Sequence, residues 1–329
     1  MIDNLIGKIL KEDVIAYNGV CLLKKGILLQ REHITLLVKN RIFLGEDDVI
    51  NQEESIIREA TEQMKKIFEF TRDNHHVPLQ DIQDVMAPTV QRLASKHDIF
   101  SLLSHLQEKD DYTYRHNIGV AVLSTMIGTW VNVTGEQLST LTVAALLHDI
   151  GKVRIPEEVL NKPGKLTDEE YECIKKHAEY GYEILKRTKD APDIYAVVAV
   201  QHHEREDGTG YPYRLPAARI DFFSKIVAIA DVFHAMTSKR VYREPIPFYE
   251  VMNEMQKERF GKLHPELLHV FVHRMMLSLL GRPVLLSDGR KGTVRFIHPS
   301  HPTSPIIESG DDFVDLHKKP SIRIERVLF

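Results

Sequence analysis

The chain has 329 residues, 43% hydrophobic and 27% charged, the composition of an ordinary globular protein with room for two or three domains. Its 43 basic and 47 acidic side chains leave a net charge of −4, which gives no overall reason to expect a nucleic-acid polymer or a membrane surface as partner. Two cysteines, Cys21 and Cys173, make neither a disulfide framework nor a zinc spacing, and no run approaches the roughly 18 apolar residues that span a bilayer. Met1–Lys8 has no signal-peptide character, so the expectation is a cytoplasmic protein with free thiols. Seventeen histidines point to a metal site wherever they fall on core-facing positions.

Residues 1–50 read as a small α/β unit of unassigned role. Val14–Tyr17 and Val20–Leu23 form a hairpin across Asn18-Gly19, Ile27–Leu29 forms a strand, and Arg31–Val38 forms a short helix. Residues 51–94 read as a helical linker or stalk. A helix over 52–72 carries Ile56, Ile57, Ala60, Met64 and Phe68 at helical spacing. Asn74–Pro78 interrupts it, leaving His75 and His76 in a polar loop. A longer helical stretch over 79–107 should kink at Pro88. These helices offer a surface for a homodimer.

Residues 95–282 contain the candidate chemistry. A helix over 110–131 has Ile118, Val120, Val122, Leu123, Met126 and Ile127 on its apolar side, and His116 shares that side. The next helix, over 136–150, runs through Leu141–Leu147 into His148-Asp149-Ile150-Gly151-Lys152. His148 lies seven residues after Leu141 and four after Ala144, so it points into the core, and Gly151 reads as the helix end. A buried imidazole beside a buried carboxylate costs several kcal/mol per ion unless something satisfies them. A metal ion satisfies both; a hydrogen-bonded His–Asp pair closing the helix is the alternative. After a loop over 156–165, a capping box at Thr167–Glu170 opens a helix with Tyr171, Ile174, Ala178, Gly181 and Leu185 in its stripe and His177 beside it. A helix over 194–203 ends in His202-His203. Phe222–Thr237 is apolar nearly all round and reads as a buried helix carrying Asp231. Helices over 248–259 and 265–280 complete the region. From Pro283 the period becomes two, with a turn at Asp288-Gly289, and 283–329 reads as a small antiparallel β appendage without catalytic residues.

His116, His148, Asp149, His177, His202, His203 and Asp231 thus fall on core-facing sides or ends of five consecutive helices. This imidazole–carboxylate mixture suits iron or manganese, with zinc as the alternative. Seven ligands are too many for one ion. With one carboxylate bridging, they suit two divalent ions roughly 3.5–4 Å apart, the spacing used in phosphoester chemistry.

His148-Asp149 with Gly151-Lys152, and His202-His203-Glu204 leading to Asp207-Gly208-Thr209-Gly210-Tyr211-Pro212, resemble the two signatures of the HD-GYP family. Val227–Phe233 and Met236-Thr237-Ser238 with Arg240 resemble it too. The resemblance covers about residues 95–280. It implies a mainly α fold with an HD-type helical bundle, between the small mixed N-terminal unit and the small antiparallel β appendage. It also implies a metal-dependent phosphodiesterase that opens cyclic di-GMP to the linear dinucleotide and onward to GMP, by a bridging hydroxide at a dinuclear site. His116, His148, Asp149 and Asp231 would hold one ion. Asp149 would bridge to a second ion, held by His177, His202 and His203. Asp149 and Lys152 would be catalytic, with Lys152 stabilising the phosphate or assisting the leaving 3′-oxygen. Gly210, Tyr211, Pro212, Arg240 and Arg243 would contact substrate. Tyr112 stands where some members have a glutamate that helps hold a third ion, so two ions are expected. His234 stands where many members have aspartate; it lies three residues after Asp231 on the same helix face and could reach the site, with a structural neighbour as the favoured alternative. Two alternatives stay open: an HD phosphohydrolase of another cyclic dinucleotide or nucleotide, and a non-catalytic cyclic di-GMP receptor.

Overall fold

The computed structural model describes residues 2–17, 19–95, 99–106, 111–238, 246–257 and 261–328. Its contacts divide the chain into two units, Met1–Glu62 and Gln63–Phe329. Short antiparallel pairs build the first. β1 (Ile9–Leu10) pairs with β4 (Val49–Ile50), and β2 (Val14–Ile15) pairs with β3 (Cys21–Leu23). Asn18 lies outside the described residues; Gly19 has φ +81°, the left-handed region that glycine enters without steric cost. The 27–29 segment runs beside β1, with Leu29 N–H donating to Lys8 O (2.8 Å) and Leu10 N–H to Ile27 O (3.1 Å). Helix α1 (Arg31–Lys39) buries Ile34 and Leu37 against Leu10, Leu23 and Leu29.

Helix α2 (Gln52–Asn74) buries Ile57, Ala60, Met64 and Phe68 of the stripe its spacing predicts and leaves Ile56 half-buried. The helical stretch expected next is continuous over 79–94 but carries a π turn. Ile82–Met86 is a π turn, α3 covers Ala87–Ala94 and α4 covers Ile99–Leu106, with residues 96–98 outside the description. Pro88 accounts for the π turn. It has no N–H to offer and its ring crowds the carbonyl one turn back, so Ala87 N–H bonds Ile82 O and the ladder widens.

Among the described residues the remaining helices of eight residues or more are α5 (Tyr112–Trp130), α6 (Gly135–Leu147), α7 (Asp168–Lys175), α8 (His177–Arg187), α9 (Asp193–Gln201), α10 (Phe222–Thr237), α11 (Phe248–Lys257) and α12 (Pro265–Leu277), and a single helical turn, Glu157–Leu160, interrupts the loop expected over 156–165. α5 is buried on every side from Arg115 to Gly128, not on one apolar side. It packs on α3, α4, α6, α10 and α12. Small and hydroxyl residues make this possible. A Cβ at Gly128 would meet Leu141 Cδ2 at 2.7 Å, and Thr125 Oγ1 lies 2.9 Å from Thr142 Oγ1. Phe233 and Phe271, both fully buried, meet edge-on at 5.1 Å and tie α10 to α12. Burying such a ring is worth about 1.5–3 kcal/mol.

α6 stops at Leu147, earlier than expected, and His148-Asp149 lead into a 3-10 turn over Ile150–Arg154. Gly151 lies inside that turn and does not end the helix. A Cβ there would sit 1.9 Å from His177 O and 2.4 Å from Gly181 N, so this glycine lets the turn press against α8. The Thr167 capping box forms, with Glu170 N–H donating to Thr167 Oγ1 (3.3 Å) and Thr167 N–H to Glu170 Oε2 (2.7 Å). The helix it opens closes at Lys176, whose N–H turns back to Cys173 O, and His177 begins a new helix. Tyr171 is half exposed and so lies off the buried stripe. The 248–259 helix is described to Lys257, because residues 258–260 lie outside the description.

Strands β5 (Pro283–Leu286), β6 (Lys291–Phe296), β7 (Ile306–Ser309), β8 (Asp312–Asp315) and β9 (Ile324–Val327) form an antiparallel sheet in the order β8-β7-β6-β5-β9. Asp288-Gly289 lies in the β5–β6 connection, with Gly289 at φ +86°. The chain is therefore mainly α with a small C-terminal antiparallel sheet and short N-terminal strands. Cys21 and Cys173 are free thiols. Among the described residues no helix is long and apolar enough to cross a membrane.

Candidate metal centre

All seven side chains singled out by periodicity converge. His116 comes from α5, His148 and Asp149 from the α6 exit, His177 from the start of α8, His202 and His203 from the α9 exit, and Asp231 from α10. Asp149 lies at the middle. Its Oδ1 is 3.2 Å from His177 Nε2 and 3.8 Å from His202 Nε2, while its Oδ2 is 3.3 Å from His148 Nε2 and 3.7 Å from His116 Nε2. Asp231 spans the other edge, with Oδ1 3.1 Å from His116 Nε2 and Oδ2 3.8 Å from His203 Nδ1. Among the described residues, two sets of side chains each gather ligand atoms within 4.8 Å of one another: Asp149, His177, His202 and His203, and His116, His148 and Asp149. Asp149 belongs to both.

The donor set fits divalent cations. His148, His177 and His202 each place Nδ1 on a backbone carbonyl, of Ala145 (2.8 Å), Ile174 (2.6 Å) and Ala199 (2.9 Å). A carbonyl only accepts, so each Nδ1 carries the proton and each Nε2 turns a lone pair inward. These lone pairs face each other and a carboxylate: His177 Nε2 and His202 Nε2 are 3.4 Å apart. His148 Nε2 and Asp149 Oδ1 are buried with no hydrogen-bond partner among the described residues. Buried polar atoms of this kind are costly, and cations between them would satisfy them.

Burial sets the protonation. It lowers the pKa of His177 to about 4 and moves His116, His202 and His203 below the ordinary imidazole value. Burial also lowers His148, but the Asp149 charge outweighs it and the net direction is up. Asp149 is pushed up by burial and pulled down harder by Lys152 and His148, ending well below the carboxylate range. Lys152 Nζ lies 2.5 Å from Asp149 Oδ2, and this charge raises its pKa against the lowering effect of burial.

Tyr211 stacks on His203, with centroids 4.6 Å apart and planes at 29°. Together with Gly210 and Pro212 it lines a cleft of about 730 Å³ that also includes Tyr171, Lys175 and Lys176. Gly210 is required where it stands: a Cβ would lie 2.4 Å from Arg205 N and 2.5 Å from Glu204 Cα. Arg240 and Arg243 lie outside the described residues. Tyr112 stacks over His116 at 5.6 Å. Two further side chains border the seven. The buried Glu204 carboxylate accepts from Tyr213 N–H (2.7 Å) and Leu215 N–H (2.9 Å), pinning the loop that carries Tyr211. His234 lies with Nδ1 3.1 Å from His116 Nδ1. The sequence clue for Glu204 was its place directly after the His202-His203 pair.

A family model described as HD domain matches residues 88–267. The chain is 34% identical over 250 residues to a cyclic di-GMP phosphodiesterase of Thermotoga maritima, covering 72% of this chain and 68% of the relative. The chain belongs to the HD-GYP family. A Pseudomonas aeruginosa cyclic di-GMP phosphodiesterase is 33% identical over 214 residues, covering 65% of this HD-GYP chain and 51% of that protein. The 3′3′-cGAMP-specific phosphodiesterase 1 of Vibrio cholerae is 34% identical over 213 residues, covering 63% and 49%. This HD-GYP chain thus spans about half the length of those two relatives. The solved HDG"Y"P protein Bd1817 from Bdellovibrio bacteriovorus shares the fold, with TM-score 0.51 at 17% identity over 82% of this chain and 94% of that one.

Proposed function

We propose that this chain is a metal-dependent phosphodiesterase that opens cyclic di-GMP to the linear dinucleotide, with GMP as a further product. The observation that carries this reading is Asp149, a buried carboxylate common to both ligand groups, with an oxygen that has no hydrogen-bond partner among the described residues. His116, His148, Asp149 and Asp231 would hold one divalent ion, and Asp149, His177, His202 and His203 a second; iron or manganese suits this set. Bound there, two such ions supply Lewis acidity and a nucleophile derived from water at neutral pH.

The protein's own groups do the rest. Lys152 has a raised pKa, so at neutral pH it is an ammonium ion and acts as a donor, not a base. Its place beside Asp149 suits it to stabilise charge on the phosphoryl oxygens or to supply the proton that the leaving 3′-oxygen takes up as the P–O bond breaks. Tyr211 keeps its hydroxyl proton, because burial raises its pKa, and it presents a donor and an aromatic face to the cleft. Arg240 and Arg243 complete the proposed substrate contacts; guanidinium suits bidentate phosphate binding.

Equal identity to the Vibrio 3′3′-cGAMP-specific relative brings a second substrate into the test. Protein purified without oxygen is assayed for hydrolysis of cyclic di-GMP and of 3′3′-cGAMP, with iron and manganese measured in the same sample. The proposal expects linear dinucleotide from cyclic di-GMP, and loss of both metal and product in His148→Ala. Turnover of 3′3′-cGAMP alone would reassign the substrate. Nucleotide binding without metal or product would make the chain a receptor.

A further inference from the structure

Three of the clustered histidines have their tautomer set by the main chain. His148, His177 and His202 each stand at or just past a helix end, and each Nδ1 reaches the carbonyl three residues back. His116 differs. It lies inside the continuous helix α5, and its Nδ1 lies 3.1 Å from the Nδ1 of His234, a residue 118 positions away on α10. Between two imidazole nitrogens only one can donate. If His234 donates, the His116 proton sits on Nε2 and no lone pair faces Asp149 and Asp231. If His116 donates, its Nε2 lone pair faces both carboxylates, as a metal ligand requires.

A metal ligand at His116 requires the second arrangement, and the surroundings allow it. Ser238 Oγ lies 3.1 Å from the same His234 Nδ1, and a hydroxyl can turn its proton toward that acceptor. The His234 ring is 1% exposed and sits edge-on to His116 at 5.1 Å. Its place is kept open by Gly119, one turn along α5 from His116, where a Cβ would lie 2.1 Å from His234 Nε2. We infer that His234 is a positioning residue: its Nδ1 accepts the His116 Nδ1 proton and so holds the His116 Nε2 lone pair toward the metal centre. The inference rests on the proposed metal-site reading and names a residue that this reading does not itself require.

The test uses isosteres in the full chain. The Oδ1 of an asparagine occupies the position of a histidine Nδ1 and only accepts, so His234→Asn keeps the proposed contact. His234→Leu fills similar space and cannot accept. Mn²⁺ titration of metal-free protein, followed by loss of the free-ion electron paramagnetic resonance signal, counts sites and gives their affinities. His234→Leu is expected to weaken one site by about 10–100-fold, the range for losing a supporting partner of a ligand histidine, and to leave the other site unchanged. His234→Asn is expected to retain the wild-type affinity at both. Thermal unfolding of the metal-free variants separates this from a packing role, because His234→Leu should melt close to wild type. Wild-type protein that binds no Mn²⁺ would overturn the metal-site reading and this inference with it. Wild-type binding matched by His234→Leu, or lost equally in His234→Asn and His234→Leu, would overturn this inference alone.

Discussion

The Lys152 ammonium lies 2.5 Å from Oδ2 of Asp149, at the one carboxylate common to both candidate ligand groups. Lys152 therefore does electrostatically, in the metal-free protein, part of what cations would do. Lys152→Met leaves a buried carboxylate without its ammonium partner. Breaking such a pair costs about 3–5 kcal/mol when fully buried, and Lys152 is 19% exposed, so about 2–3 kcal/mol is expected here. Urea unfolding in the presence of chelator should show that loss, and added Mn²⁺ should recover most of it. Turnover should stay low in both conditions, because the proposed donor to the phosphate is gone.

Glu204 ties the loop carrying Tyr211 through two backbone N–H groups. Glu204→Ala strands both donors at about 1–3 kcal/mol each. Its expected signature is a KM for cyclic di-GMP raised roughly tenfold, equivalent to ~1.4 kcal/mol, with metal content unchanged. Glu204→Gln, which keeps one acceptor oxygen, should fall between the two. Metal loss in Glu204→Ala would show that the loop supports the centre itself.

Acid should destabilise the metal-free protein in a defined window. Above pH 6.5 His177 is neutral in both folded and unfolded chains. Between 6.5 and about 4 the unfolded chain binds a proton that the folded chain refuses, so stability falls as pH falls. His177 alone contributes on the order of 3 kcal/mol across that window. His116, His202 and His203 act in the same direction, and His148 alone acts in the other. Chemical denaturation of chelator-treated protein from pH 7.5 to 4.5 checks the sign.

Periodicity singled out the seven converging residues because each lies on the core side or at the end of an apolar helix, and both are local properties. It failed where a second element decides. Gly151 read as a helix end, yet its role is the close approach to His177 and Gly181. Tyr171 fits the stripe by spacing, but the chain turns at Lys176 and leaves it half exposed. The His116–His234 pair joins residues 118 apart, and no window along the chain can see it. The π turn at Ile82–Met86 was foreshadowed by Pro88, although as a kink and not as a widened ladder.

If the Asp149 carboxylate serves two ions, the metal stoichiometry of the protein reports it. Protein purified without oxygen, and its variants, would be analysed for bound iron and manganese per chain. The account predicts about two ions in the wild type, about one in His116→Ala and in His202→Ala, and essentially none in Asp149→Asn. An Asp149→Asn protein that folds and keeps the wild-type metal content would contradict it.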